Sequence, residues 1–331
     1  MGFMELTRGK KLPYKGIAWF FYNLFVLTKW FRLMIKQTLI FLMVLVGFSS
    51  AAFAKPYKGA EIFSIDTTLY GKFVFSIKAA KASGVISTFF TYKDGSEQPG
   101  IFWEEIDVEI FGKDNAMTWQ SNVITGFDPR QLSEAVHDSD DSLSDSFHTF
   151  AVEWRPDSIT WLVDDIEVRS ETGSQVESLT NPQSMRFNFW PPTIVAWVGQ
   201  FDASVLPLYM FVDWFEYHSW DENSQDFSLE WRDDFDTFDS SRWGKANWTF
   251  DVNAADFDPN NANVENGNLV LSLTQENPGS SSSSSATGSG SSSSVASGGN
   301  SGSSGGGSIN ALFIVFLAAC LVMFRIKKRK S

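Results

Sequence analysis

The stretch Trp103-Glu104-Glu105-Ile106-Asp107-Val108-Glu109-Ile110 alternates acids with aliphatic residues from position 105 onward. Period-two alternation predicts a β-strand, because successive side chains leave the pleat on opposite sides. Ile106, Val108 and Ile110 then enter a core, while Glu105, Asp107 and Glu109 share the other face. A row of like charges is electrostatically costly, and a solvated strand face is the ordinary explanation for one. Three features favour a site instead. The row is exclusively Asp/Glu, Trp103 precedes it, and the opposite face is purely aliphatic.

The same period runs through the chain around this strand. Gly84–Tyr92 is β-branched and aromatic, Trp161 and Val163 alternate within Thr160–Val168 before and around a turn at Asp164-Asp165, and Asn268–Thr274 is a short apolar strand. Turn signals recur at Lys93-Asp94-Gly95, Arg155-Pro156-Asp157 and Asn266-Gly267. No long stretch carries a helical period. Many short strands with turn punctuation predict an all-β fold, an antiparallel β-sandwich or barrel. The concave face of a curved sandwich is a natural trough for an extended ligand.

Three aligned carboxylates suit glycosidic hydrolysis, which needs one carboxylate as nucleophile and another as general acid/base. Positions i and i+4 on a strand lie ~13 Å apart at the backbone, so the two glutamates must lean together on a concave strand. The middle Asp can hydrogen-bond a neighbour and, through like-charge coupling, hold the two glutamates at different proton affinities.

Charge narrows the ligand class. The chain has 26 Lys+Arg against 39 Asp+Glu, but residues 55–278 alone hold 14 basic and 38 acidic residues, a net of −24. So acidic a body lacks the clustered cations that nucleic acids or other long polyanions require. The one cysteine, Cys320, lies outside that body, which excludes a disulfide framework and a cysteine zinc site. His137, His148 and His218 lack catalytic or metal spacing, and His148 reads as a structural hydrogen-bonding residue. No phosphate loop or serine nucleophile elbow occurs.

The margins read as address segments. Residues 34–54 form an export signal, with Lys36, the apolar run Leu39–Phe48 and the small-x-small site Ala52-Phe53-Ala54, so the mature chain begins at Lys55. Residues 1–33 do not fit this plan and are expected to be a start-site miscall, with translation starting at Met34. Residues 55–278 form one domain. Residues 279–308 are a Ser/Gly linker that cannot bury enough apolar area to fold. Residues 309–331 hold a short apolar run before Arg325 and Lys327–Lys330, a stop-transfer pattern that also resembles cleaved C-terminal sorting tails. The expected location is the cell exterior, as a secreted, surface-held or periplasmic membrane-anchored protein, with the membrane contacted only through this tail.

At the acid row the sequence resembles glycoside hydrolase family 16, in its Glu-x-Asp-x-Glu branch that includes the lichenases (endo-β-1,3-1,4-glucanases). Tyr70-Gly71-Lys72-Phe73, Ser121-Asn122-Val123-Ile124-Thr125-Gly126, Phe147-His148-Thr149-Phe150, Arg186-Phe187-Asn188-Phe189-Trp190 and Ala196-Trp197-Val198-Gly199-Gln200-Phe201-Asp202 fit the same pattern. The segment Asp234-Phe235-Asp236-Thr237-Phe238-Asp239 through Trp243 and Trp248 resembles the family's usual N-terminal opening, yet here it follows the acid row. The chain is therefore similar to a circularly permuted form of the family.

The resemblance implies a β-jelly roll with a concave cleft. It makes Glu105 the nucleophile, Asp107 the assistant and Glu109 the acid/base. It implies substrate-binding roles for Glu61, Phe90, Tyr92, Trp103, Gln120, Asn122, Asn188, Trp190, Trp197 and Trp248. Neutral glucans bind by stacking on rings and hydrogen bonding to hydroxyls. Pro191-Pro192-Thr193-Ile194 departs from the family's small polar loop and is expected to reshape one end of the cleft. Structural Ca²⁺ is implied at Asp213, Asp234 and the Gly267 carbonyl, since hard oxygen ligands suit Ca²⁺; no cofactor is expected for catalysis. The resulting expectation is a monomeric, retaining endo-β-glucanase acting on mixed-linkage β-1,3-1,4-glucan. A β-glucan transglycosylase and a non-catalytic carbohydrate-binding surface protein are the alternatives.

Overall fold

A computed structural model describes residues 54–275. The expected export signal, the Ser/Gly linker and the C-terminal tail lie outside the described residues. Among the described residues no helix is long and apolar enough to cross a membrane.

The described residues form sixteen strands: β1 (Tyr57–Thr68), β2 (Gly71–Lys78), β3 (Ile86–Tyr92), β4 (Trp103–Phe111), β5 (Thr118–Gly126), β6 (Gln131–Asp138), β7 (His148–Trp154), β8 (Ser158–Val163), β9 (Ile166–Thr172), β10 (Gln183–Trp190), β11 (Leu208–Asp221), β12 (Asp226–Asp233), β13 (Trp243–Lys245), β14 (Ala255–Phe257), β15 (Ala262–Glu265) and β16 (Asn268–Gln275). Among the described residues the α-helices are single turns, Ser174–Glu177 and Val195–Val198.

One sheet runs β6-β5-β4-β3-β10-β1 and carries β13 on β1; the other runs β16-β11-β2-β7-β8-β9, with β12 on β11 and β15 on β16. The two join where Tyr57 and Lys58 of β1 pair with Gln275 and Thr274 of β16. Every named pairing is antiparallel except β1 with β14. This is the all-β antiparallel sandwich that the alternation predicts.

Phenylalanines fill the space between the sheets. Phe75 of β2 meets Phe89 of β3 at 4.5 Å and Phe187 of β10 at 5.4 Å, and Phe215 of β11 meets Phe187 at 5.8 Å. All four rings are essentially inaccessible, and burying each is worth about 1.5–3 kcal/mol. Ile106, Val108 and Ile110 of β4 point into the same core, which turns the acid row outward onto the opposite face of its sheet.

Two of the predicted turns take the backbone that hairpins favour. Asp164 and Asp165 have φ of 49° and 65°, and Asn266 and Gly267 have φ of 53° and 73°. Positive φ at both central residues matches the right-handed twist of the flanking strands.

Candidate active site

Residues directly opposite one another in neighbouring strands share a face, so the register builds the floor of a cleft outward from β4. Asp107 pairs with Phe90 on β3 and Asn122 on β5; beyond them lie Arg186 on β10 and Glu134 on β6. Glu109 pairs with Thr88 and Gln120, and Thr88 leads through Asn188 to Glu61 on β1. Glu105 pairs with Tyr92 and Ile124.

The resulting cleft encloses about 400 Å³ and is lined by all three acids and by all ten side chains given binding roles from the sequence. Trp190 and Trp197, only 6 % and 8 % exposed, pack with Ile86, Phe111 and Val252 at one side. They back that wall as much as they offer a platform. Trp248 lies on Phe63 of β1, with ring centres 5.3 Å apart. At the other side the Arg130 guanidinium covers the Trp103 ring at 3.5 Å. The divergent loop at 191–194 forms part of the first wall: Thr193 N–H donates to Val252 O, Ala254 N–H donates to Pro191 O, and Ile194 lines the cleft.

The acids are set apart by their neighbours. Gln120 Nε2 donates to Glu109 at 2.9 Å, and the Trp103 indole N–H donates to Glu105. Burial raises the pKa of all three acids. Glu109 is held well above the usual carboxylate range by burial and by the charges of Glu134 and Glu105, with only Gln120 pulling it back. Asp107 is held well above its range by burial, by the charges of Glu105 and Glu109, and by a hydrogen bond to Glu105. Glu105 is also raised by burial, but the Trp103 and Asp107 hydrogen bonds and the Arg130 and Arg186 charges favour its ionised form. Behind the row, Trp161 of the second sheet donates its indole N–H to the Asp107 carbonyl at 3.1 Å and ties the acid strand to the core.

Several buried polar atoms along the cleft have no partner: Asp107 Oδ2, Asn122 Oδ1, and the indole nitrogens of Trp190 and Trp197. Two accept and two donate, and a sugar hydroxyl does both. The lining carries Glu61, Asp94, Glu97 and Glu134 besides the three acids, against Arg130 and Arg186. That balance suits a neutral polymer and repels an anionic one.

Arg186, Arg130 and Glu134 belong to the site although sequence reasoning assigned them no role. Arg186 donates to Glu61 at 2.8 Å and to Asp94 at 2.7 Å, and its guanidinium lies 4.8 Å from the Tyr92 ring centre. Its alternation with Asn188 and Trp190 is a signal that places it on their face. Glu134 has no such signal, since only the register from β4 through β5 to β6 brings it beside the row. Glu104, on the core side of β4, is fully buried and accepts from Thr180 N, Asn181 N and Asn181 Nδ2, with Lys93 Nζ at 3.4 Å.

One of the implied calcium ligands already has a cationic partner. Asp234 is engaged by Arg232 at 2.7 Å, and among the described residues no three acidic, histidine or cysteine side chains converge on a point. Calcium takes six to eight oxygens, so no step below depends on it. His148 serves structure, with Nδ1 2.8 Å from Asp164 at the β8–β9 turn.

The description "Glycosyl hydrolases family 16" matches residues 31–215, a span that includes the acid row and ends before β12. A β-glucanase of Fibrobacter succinogenes is 42 % identical over 253 residues, which cover 73 % of this chain and 72 % of that protein. A β-glucanase of Brevibacillus brevis is 37 % identical over 168 residues, 50 % of this chain and 61 % of its own length. The solved structure of a Bacillus licheniformis β-glucanase aligns at 32 % identity over 47 % of this chain and 70 % of that one, with a TM-score of 0.42.

Proposed function

The chain belongs to glycosyl hydrolase family 16, and from that premise we propose that it is an exported endo-β-glucanase that cleaves mixed-linkage β-1,3-1,4-glucan with retention of configuration. The observation that carries the mechanism is the asymmetry between two like residues on one strand face. Glu105 has Trp103, Arg130 and Arg186 to hold a negative charge; Glu109 has Glu134 and Glu105 to oppose one. Carboxylates whose surroundings drive their proton affinities apart take the roles of nucleophile and acid.

In this mechanism the Glu105 carboxylate attacks the anomeric carbon while Glu109 gives its proton to the glycosidic oxygen, and the downstream chain leaves as an alcohol. Asp107 hydrogen-bonds Glu105 and keeps it aimed. Glu109, now ionised, takes a proton from water; the hydroxide equivalent displaces Glu105 from the sugar. Two inversions at one carbon amount to retention.

The export signal, the linker and the tail are read from the sequence and belong to the same proposal, as does a monomeric enzyme. The permuted order is supported by the juxtaposed ends of the described fold. The test is digestion of pure lichenan, laminarin, xyloglucan and cellulose, with linkage analysis of the products and NMR of the first-formed anomer. Cleavage of lichenan alone with a β-anomer first is the expected result. An α-anomer excludes retention, and preference for laminarin excludes the mixed-linkage assignment.

A further inference from the structure

Lys55, the first residue past the small-x-small site, is tied to a single segment on the far side of the sequence. Its Nζ donates to Thr249 Oγ1 at 2.6 Å, Phe250 O at 2.8 Å and Asn253 O at 2.5 Å. An ammonium group has three donors, and this one uses all of them. Its backbone nitrogen donates to Asp256 Oδ2 at 2.9 Å. The chain then continues along the same segment, with Tyr57–Gly59 parallel to Ala255–Phe257. These partners carry the cleft wall, for Trp248, Thr249, Phe250 and Val252 all line it. Residues 246–254 belong to no strand, so their position depends on such ties.

We propose that cleavage between Ala54 and Lys55 completes this clamp: the α-ammonium it creates pairs with Asp256 and, with the Lys55 side chain, fixes the Trp248–Val252 wall in its sugar-binding position. The proposal rests on the reading of 34–54 as an export signal and of the cleft as a glucan site. In the uncut chain the Lys55 nitrogen is a neutral amide with one N–H. Cutting gives it three donors and a positive charge, and charge-assisted bonds to a carboxylate are about twice as strong as neutral ones. Asp256 accepts from this nitrogen, with the Lys58 ammonium 3.3 Å from Asp256; Asp256 and Asp251 also act on the ammonium of the Lys55 side chain. The pair is half-exposed, so its expected effect is modest, about twofold to fivefold.

An α-amino group titrates at about 7.7–8.0 when unpaired, so its charge, and with it the gain from cutting, is present at neutral and acid pH and is lost in alkaline solution.

The test uses the full chain with residues 51–54 replaced by a factor Xa site, so that cutting leaves Lys55 first. KM and kcat on lichenan and the thermal midpoint are read before and after the cut. The expected result is a twofold to fivefold fall in KM, kcat held within twofold, and a higher midpoint. The gain should fade as pH rises past the α-amino range and be absent in Asp256→Asn. N-terminal sequencing of the naturally exported protein should begin at Lys55. An unchanged KM and midpoint, an equal gain in Asp256→Asn, or a mature terminus elsewhere overturns the proposal. If the cut protein fails to hydrolyse any glucan, the enzymatic reading fails, while the midpoint still judges the clamp.

Discussion

Glu105 and Glu109 are the same side chain on the same strand face, and the division of labour proposed for them rests on what surrounds them. Glu109→Gln keeps the shape and removes the proton donor. Turnover on β-glucan should fall about 10²–10⁴-fold with KM changed little, as steady-state kinetics would register. The same substitution should raise the thermal midpoint at pH 7. Asp107 and Glu109 have folded-state pKa values above their unfolded ones, so the stability they lend is complete at low pH and is lost as pH rises through the folded values. At neutral pH the site therefore costs the fold stability, and the gap between Glu109→Gln and the native enzyme should narrow toward pH 4. Glu134→Gln removes a like charge beside Glu109, so the pKa of the acid falls. Because the acid works protonated, the alkaline limb of the kcat/KM profile should move to lower pH; an unmoved limb would separate Glu134 from the acid.

At the scale of the element, β4 shows where period-two reading succeeds and where it stops. Alternation gave the acid row its face and sent Ile106, Val108 and Ile110 inward, as the core confirms. It equally places Glu104 on the inward side, yet an acid there is stable only if it finds donors. Those donors come from Thr180 and Asn181, more than seventy residues away in sequence, and no local pattern announces them. Glu104→Ala removes the carboxylate that the Thr180 and Asn181 N–H groups donate to and should cost about 1–3 kcal/mol. Urea unfolding measures that loss, and an effect below about 0.5 kcal/mol would mean water readily replaces the carboxylate. The hairpin at Asp164-Asp165 is the opposite case, since two residues that tolerate positive φ settle the turn locally.

For the whole molecule, the pairing of Tyr57 with Gln275 brings the two ends of the described fold together, and the turn between β11 and β12 is exposed at 222–225. Joining residue 275 to residue 55 by a short linker, and opening the chain between Asn223 and Ser224, should leave the fold intact, because no buried strand is cut. Circular dichroism and lichenan hydrolysis would test this. The expected outcome is a native spectrum with activity within about tenfold, allowing for the lost Lys55 terminus; an unfolded product would show that chain order matters to the sandwich beyond the adjacency of its ends.

The sequence by itself determined the all-β class, the turns at Asp164-Asp165 and Asn266-Gly267, the shared face of the acid row and the acidic balance of the body. These follow from side-chain period, backbone preference and net charge, which act over a few residues or over the composition as a whole. The ten residues given binding roles from the family pattern, Glu61 and nine ring or amide side chains, also lie together in the cleft. Only the tertiary structure decided the electrostatic difference between Glu105 and Glu109, the place of Glu134, Arg130 and Arg186 beside them, and the hold of Lys55 on the cleft wall. Proton affinity depends on burial and on charges a few ångströms away, and residues that close in space are here separated by tens to about two hundred positions along the chain.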